Sequence, residues 1–350
     1  MDIPKASQRP RISRALIWDI AREAGVSIAT VSRALNGKAD VSQATREKIL
    51  QIVREKGYVS NQHARSLVKK LSGYIGFAVP NVGMPYPAQI AQGAAEALDE
   101  YEAHLVLCLT AFQREREKSL LHQLVRGGVD GALIVNPVES SAELGLLQQR
   151  GFPLVVIDPI LPVADDFCVV ASANMAGACQ AVEHLVALGH RRIGIITGPV
   201  SWHATTDRLA GYHAVLSRAG LPIDPLLEVE ANHLEDKGIS AARRLFDLAE
   251  PPTAIFAYND GIAVQVLRAA EERGLRVPRD LSIVGFDDAA IASLITPALT
   301  TVNQPTQEMG RTGATLLFQM LQGEAIESPR VVLPTRLVVR ASTGPCPTPQ

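Results

Sequence analysis

RALIWDIAREAGVSIATVSRALNGKADVSQATREKI, residues 14–49, carries three helical stretches separated by two breaks. Ile17, Ile20, Ala21 and Ala24 recur at helical spacing, and Gly25 then supplies a residue that enters the left-handed region without steric cost. A first helix therefore ends there. Ser27 suits the cap of a second helix from Ile28 to Leu35, in which Val31 and Leu35 share one face and Asn36-Gly37 tolerates a left-handed stop. Ser42 caps a third helix that runs through Ile49, Leu50, Ile52 and Val53 and closes at Gly57. Two short helices joined by a tight glycine turn, with a third behind them, describe a helix-turn-helix. Ile28, Ala29, Thr30, Ser32 and Arg33 lie off the Val31/Leu35 stripe. They form a short apolar, hydroxyl and guanidinium surface suited to a major groove, in which Arg33 can chelate guanine and Ile28 and Ala29 can touch thymine methyls.

The charge distribution points the same way. The 350-residue chain has a net charge of −2, yet residues 1–70 hold 14 basic and 6 acidic side chains, leaving 20 basic and 30 acidic ones beyond. A basic module with helical periodicity is expected to meet a polyanion, with double-stranded DNA the first candidate. After Gly57, the segment YVSNQHARSLVKK at 58–70 favours helix but has little to pack on. Isolated helices this short are marginal. Two readings stand: a charged linker, or a segment that orders only on DNA and presents Leu67 as a minor-groove wedge.

The run DIAREAGVSIATVSRALNG, followed by VSQATREKI and the spaced Tyr58, Asn61, Ala64-Arg65 and Leu67, resembles the lactose/galactose repressor (LacI/GalR) family of bacterial transcription regulators. The resemblance continues through GYIGFAVPN at 73–81, HLVALGHRRIGIITGP at 184–199, RLAGYHAVL at 208–216, IFAYND at 255–260, LSIVGFDD at 281–288 and PALTTVNQP at 297–305. It implies DNA contacts from Trp18, Ser27, Ile28, Ala29, Thr30, Ser32, Arg33, Asn36, Tyr58, Asn61, Ala64 and Leu67. It also implies a flexible tail at 1–14, a DNA-binding domain at 15–60, a hinge at 61–72 and an effector-binding and dimerisation domain at 73–345.

The residues of 71–345 support an α/β reading on their own. Strand-like runs at 74–80, 104–109, 131–135 and 154–157 alternate with helix-like segments at 88–101, 114–126 and 141–150. A second series begins near Asn174, with strands about 192–197, 253–257 and 282–285 and helices about 175–188, 206–219, 237–249 and 260–273. The fold class expected is α/β with a small all-α N-terminal domain: a helix-turn-helix followed by two similar lobes of parallel sheet, as in periplasmic binding proteins. Ligands of such sheets sit beyond the carboxyl ends of the strands. Asp158, Asn259-Asp260 and Asp287-Asp288 each follow a strand, and Arg208 opens a helix after a loop with Trp202 and His203. Carboxylates, an amide, a guanidinium and an aromatic suit a polyhydroxylated ligand. Singly, Asp260 and Asp288 read equally well as a helix cap or a loop salt bridge. The resemblance assigns effector contacts to Asp158, Arg208, Asn259, Asp287 and Gln304. It departs where many members carry an aromatic near 233 and this chain has His233, so stacking is expected to pass to Trp202.

Other functions fit poorly. GxGxxG after a strand, GxxxxGK[ST], HExxH and GxSxG are missing from the sequence, so no catalytic residue, metal site or cofactor is expected. His184 and His190 flank an apolar helix end and read as solvated or capping side chains. Cys108, Cys168, Cys179 and Cys346 have no CxxC spacing and read as packing residues. A periplasmic sugar-binding protein would share the two lobes but neither the basic module nor the polar, leaderless N-terminus. The expectation is a cytoplasmic homodimer, with no membrane partner, that represses from a pseudo-palindromic operator. Its effector is expected to be a mono- or oligosaccharide, with a nucleoside or phosphorylated metabolite as the alternative. The Pro-rich end ASTGPCPTPQ is unsuited to a tetramerising heptad helix.

Overall fold

The computed structural model describes residues 17–35, 38, 40–56, 71–139, 141–231 and 237–347. The chain divides into two compact units, residues 1–72 and 73–350. The first holds α1 (Ile17–Ala24), α2 (Ile28–Leu35) and α3 (Gln43–Glu55). Gly25 takes a φ of 72°, and the Val26 amide donates back to the Ala21 carbonyl at 3.1 Å, closing α1 and turning the chain. Ser27 Oγ accepts from the Thr30 amide at 3.1 Å and Ser42 Oγ from that of Thr45 at 3.3 Å, so both expected caps form. Ile20, Val31, Ala34, Ile49 and Ile52 meet in a small core. The inward stripe of α2 is Val31 and Ala34, with Leu35 and Ile28 packed half-buried beside it, so Ile28 is more engaged in the core than its off-stripe position suggested.

The second unit contains two six-stranded sheets. The first orders β2 (His104–Leu109), β1 (Tyr74–Val79), β3 (Gly131–Val135), β4 (Leu154–Ile157), β5 (Cys168–Ser172) and β11 (Arg330–Leu333), all parallel. The second orders β7 (Glu228–Glu230), β6 (Ile193–Thr197), β8 (Ala254–Ala257), β9 (Ser282–Asp287), β10 (Thr300–Asn303) and β12 (Arg336–Val338). Only β12 runs antiparallel to its neighbour in the second sheet. The first five strands of each sheet share one winding order, so the echo between 74–82 and 192–200 reflects a repeated topology. Helices on both faces bury β3, β4, β6 and β8 completely, which explains their continuous apolar sequence. Alternate residues feed separate cores: Leu133 and Val135 point to one face, Ala132 and Ile134 to the other.

The two lobes are not two consecutive stretches, as the sequence reading implied. The chain crosses at 172–174, returns at 303–306 and crosses again at 333–336. Thus α12 (Thr306–Gln322), which follows the second lobe in sequence, packs on α4 (Pro85–Asp99) of the first. Their backbones nearly touch: a Cβ on Gly93 would fall 1.9 Å from the Gln307 carbonyl oxygen, and one on Gly310 2.0 Å from that of Ile90. His190 is fully buried rather than solvated. Its Nδ1 meets Thr253 Oγ1 at 2.9 Å and its Nε2 the Gly344 carbonyl at 3.1 Å, while His184 Nε2 meets Thr343 Oγ1 at 2.9 Å. These two histidines fasten the C-terminal segment to the second lobe. Among the described residues no helix is long and apolar enough to cross a membrane.

Candidate functional site

On the first unit, α2 turns Val31 and Ala34 inward, which leaves Ala29 and Arg33 exposed and Thr30 and Ser32 half-buried on its outer side. Ser27 Oγ lies 2.9 Å from Thr30 Oγ1, so the cap and the first turn of this surface hold one another. Arg33 Nε stands 3.6 Å from Asp40 Oδ2 in the loop that follows, an exposed pair of small energetic weight. Trp18, on α1, is 69 % exposed. Asn36, Tyr58, Asn61, Ala64 and Leu67, together with residues 61–70 of the hinge expected at 61–72, lie outside the described residues.

In the second unit, a cavity of about 70 Å³ lies between the lobes, at the carboxyl ends of both sheets. Asp158, Trp202, Arg208, Asn259, Asp287 and Gln304 all line it; His233 lies outside the described residues. Both sheets change winding direction here, where β1 meets β3 and β6 meets β8, so the loops after these strands diverge and leave a crevice.

Each polar group is held by a neighbour. Asp158, after β4, accepts from Tyr86 OH at 2.8 Å and from Asn136 Nδ2 at 3.2 Å through Oδ2, while its carbonyl accepts from Asn136 at 2.7 Å. Arg208, on α8 (His203–Arg218), is buried, donating from Nε to Asn174 Oδ1 at 3.0 Å and from Nη1 to the Tyr258 carbonyl at 2.6 Å. Its guanidinium lies 3.7 Å from the Phe286 ring centre and 4.6 Å from that of Tyr258. Asn259 caps α10 (Asp260–Glu272) by accepting from the Ile262 amide at 2.9 Å, which leaves its Nδ2 for the cavity. Ser172 Oγ donates to Gln304 Oε1 at 2.5 Å and Gln304 Nε2 to Asp287 Oδ1 at 2.6 Å, a relay from the first lobe through a crossover to the second. In bonds among the described residues, Asp158 Oδ1, Arg208 Nη2, Asn259 Nδ2 and Asp287 Oδ2 stay unused. They amount to two acceptors and two donors.

Burial pushes the Asp287 carboxyl up to about 6 against the pull of Arg208 and Gln304. Asp260, behind it, is raised to about 8 by burial and by the Asp287 charge, although it accepts from Thr301 Oγ1 at 2.5 Å and from the Ala289 amide at 2.7 Å. Asp288 turns away to an ion pair with Arg340 at 2.6 Å, the salt-bridge alternative for that residue. Asn136, Asp158 and Asp287 all have positive φ, at 49°, 50° and 114°. Strain of this kind, about 1–3 kcal/mol each, persists where surrounding contacts impose it, and here it aims three side chains at strand carboxyl ends into one cavity.

Sequence reasoning missed Tyr86, Phe112, Asn136 and Tyr258, which also line the cavity. Asn136 was accessible to the rule that found Asp158, because it too follows a strand. Tyr86, in the first turn of α4, carries no such signal.

Residues 16–61 match the family described as bacterial regulatory proteins, lacI family, and residues 182–343 a periplasmic binding protein-like domain. The chain is 34 % identical to the HTH-type transcriptional regulator DegA of Bacillus subtilis (strain 168) over 96 % of its own length and 100 % of DegA. Among solved structures it is similar to the lac repressor dimer bound to operator and the anti-inducer ONPF, with a TM-score of 0.84 and 32 % identity, over 95 % of this chain and 100 % of that one. A transcriptional regulator CelR–cellobiose complex gives a TM-score of 0.72 and 34 % identity, over 94 % and 100 %. The chain therefore belongs to the lacI family of bacterial regulatory proteins, which are DNA-binding transcriptional regulators and not enzymes.

Proposed function

We propose that this regulator is a cytoplasmic, homodimeric repressor of carbohydrate-utilisation genes, released from or held on its operator by a neutral carbohydrate bound between the lobes. The observation that carries the effector half is the convergence of Asp158, Trp202, Arg208, Asn259, Asp287 and Gln304 on one cavity. Two unused acceptors and two unused donors, flanked by aromatic rings, match a ring with several hydroxyls and an apolar face. Two carboxylates against one guanidinium disfavour a phosphorylated ligand, which would add repulsion in a site of low dielectric. Similarity to a CelR–cellobiose complex supports the carbohydrate class.

On the DNA side, α2 enters a major groove, where Arg33 reads guanine and Ser27, Ile28, Ala29, Thr30 and Ser32 line the contact, with Trp18 beside them. Asn36 and Tyr58, with Asn61, Ala64 and Leu67 of the hinge, add further contacts. A two-fold pair of modules reads a pseudo-palindrome. Effector and operator then influence one another by a coupling energy of about 1–3 kcal/mol, reciprocal by thermodynamic necessity.

The test is thermal unfolding against unphosphorylated sugars, nucleosides and sugar phosphates, in the parent and in Asp158→Ala, because a ligand of the native state raises the midpoint. A shift with a neutral sugar that vanishes in the variant is expected. A response confined to phosphorylated compounds, a sugar response that survives in Asp158→Ala, or no response to any sugar would each overturn the carbohydrate reading.

A further inference from the structure

Phe112 and Trp202 come from opposite lobes. Phe112 follows β2 in the first lobe; Trp202 immediately precedes α8 in the second. Both line the cavity and both are only half-buried, whereas Arg208, Asn259 and Gln304 at its deep end are buried. The aromatic pair therefore stands at the mouth. Its ring centres are 5.6 Å apart with an interplanar angle of 25°, an offset stack with no room for a sugar ring between the two faces. The backbone is committed to this contact: Ala111 and Phe112 are consecutive residues with φ of 57° and 55°, a costly conformation for residues with a Cβ.

One residue along, a second bond spans the same gap. The His203 amide donates to the Ile160 carbonyl of the first lobe at 2.8 Å. His203 is the first residue of α8, where helical geometry leaves the amide without a partner inside the helix. Its protection from solvent thus reports the apposition of the two lobes, while the neighbouring Thr205 and Thr206 amides bond to the Trp202 carbonyl within the second lobe.

We propose that Phe112 and Trp202 form a latch that holds the lobes together across the mouth of the cleft, so that a ligand reaches the deep polar groups only when the stack parts. This makes Phe112 a residue of the effector site, and that part rests on the proposed function. The latch itself is tested without any effector. Amide exchange resolved at His203, Thr205 and Thr206 is followed by mass spectrometry in the full-length protein, in Phe112→Ala and in Trp202→Phe. Loss of one stacked ring is expected to accelerate His203 exchange about two- to tenfold, leaving Thr205 and Thr206 unchanged. Trp202→Phe keeps a ring and is expected to stay within about twofold of the parent. Acrylamide quenching of Trp202, in a Trp18→Phe background that removes the other tryptophan, is expected to rise in Phe112→Ala. Unchanged His203 exchange in Phe112→Ala would overturn the latch even if quenching rises, because Phe112 would then merely cover its neighbour. Acceleration shared equally by Thr205 and Thr206 would also overturn it, since the start of the helix would be fraying while the lobes stayed together.

Discussion

Asp287→Asn is expected to stabilise the protein at neutral pH while removing its response to effector. The folded protein binds a proton at Asp287 up to about pH 6, the unfolded chain only up to about 3.8, so ionisation favours unfolding. The site's stability is complete below about pH 3.8 and is lost as the pH rises to about 6. A difference of about 2 pH units, at ~1.36 kcal/mol each, gives an upper bound of about 3 kcal/mol. Asp287 is partly open to the cavity, and solvent screening reduces this to about 1–2 kcal/mol. Asparagine imitates the protonated acid and can still accept from Gln304 Nε2. It also removes the charge that raises Asp260. At about 2–4 °C per kcal/mol, the unfolding midpoint should rise by about 2–8 °C at pH 7.5 and by less than about 1 °C at pH 4. The assay is thermal unfolding of both proteins at the two pH values. An equal or lower midpoint for the variant at pH 7.5, or a variant–parent difference that does not shrink between pH 7.5 and pH 4, would refute the linkage.

Arg33→Ala should cost about 1–3 kcal/mol on the operator and relax preference at one symmetric base pair, as read by binding to a randomised site library. Gly310→Ala places a methyl against the Ile90 carbonyl and should cost about 1–3 kcal/mol or more through overpacking, seen as a lower denaturant midpoint. Ser42→Ala removes the cap of α3 and should cost the DNA-binding unit about 0.5–2 kcal/mol, measurable by helical circular dichroism on heating.

Periodicity made the helix-turn-helix legible because Gly25, Ser27 and Ser42 are local signals whose structural roles depend on their immediate neighbours. The strands 131–135 and 154–157 were equally plain, since burial on two faces leaves little besides apolar residues in them, and 104–109 was legible from its apolar run although it is a partly exposed edge strand. The crossovers were not legible. β5, β10 and α12 are shaped by contacts with segments more than 100 residues away, and nothing within 306–322 says that Gly310 meets the Ile90 carbonyl or that Gln307 meets Gly93. In the cleft, post-strand position identified Asp158, Asn259 and Asp287. Tyr86 and Phe112 reach the cavity from a helix start and an edge loop, and the pairings that place them there are long-range.

The threefold passage between the lobes also governs how the protein comes into being. The first lobe needs α12 to cover its sheet and β11 to finish its edge, and β11 ends at Leu333. On the ribosome, the DNA-binding unit emerges before either lobe with its own core complete, whereas the first lobe waits for Leu333 and the second for Val338. Until then β5 presents an unpaired apolar edge beside a helix face without its partner. Synthesis of this chain therefore includes a long interval in which a finished DNA-reading module is tethered to an unfinished sensor, with exposed strand edges open to chaperones or to neighbouring nascent chains.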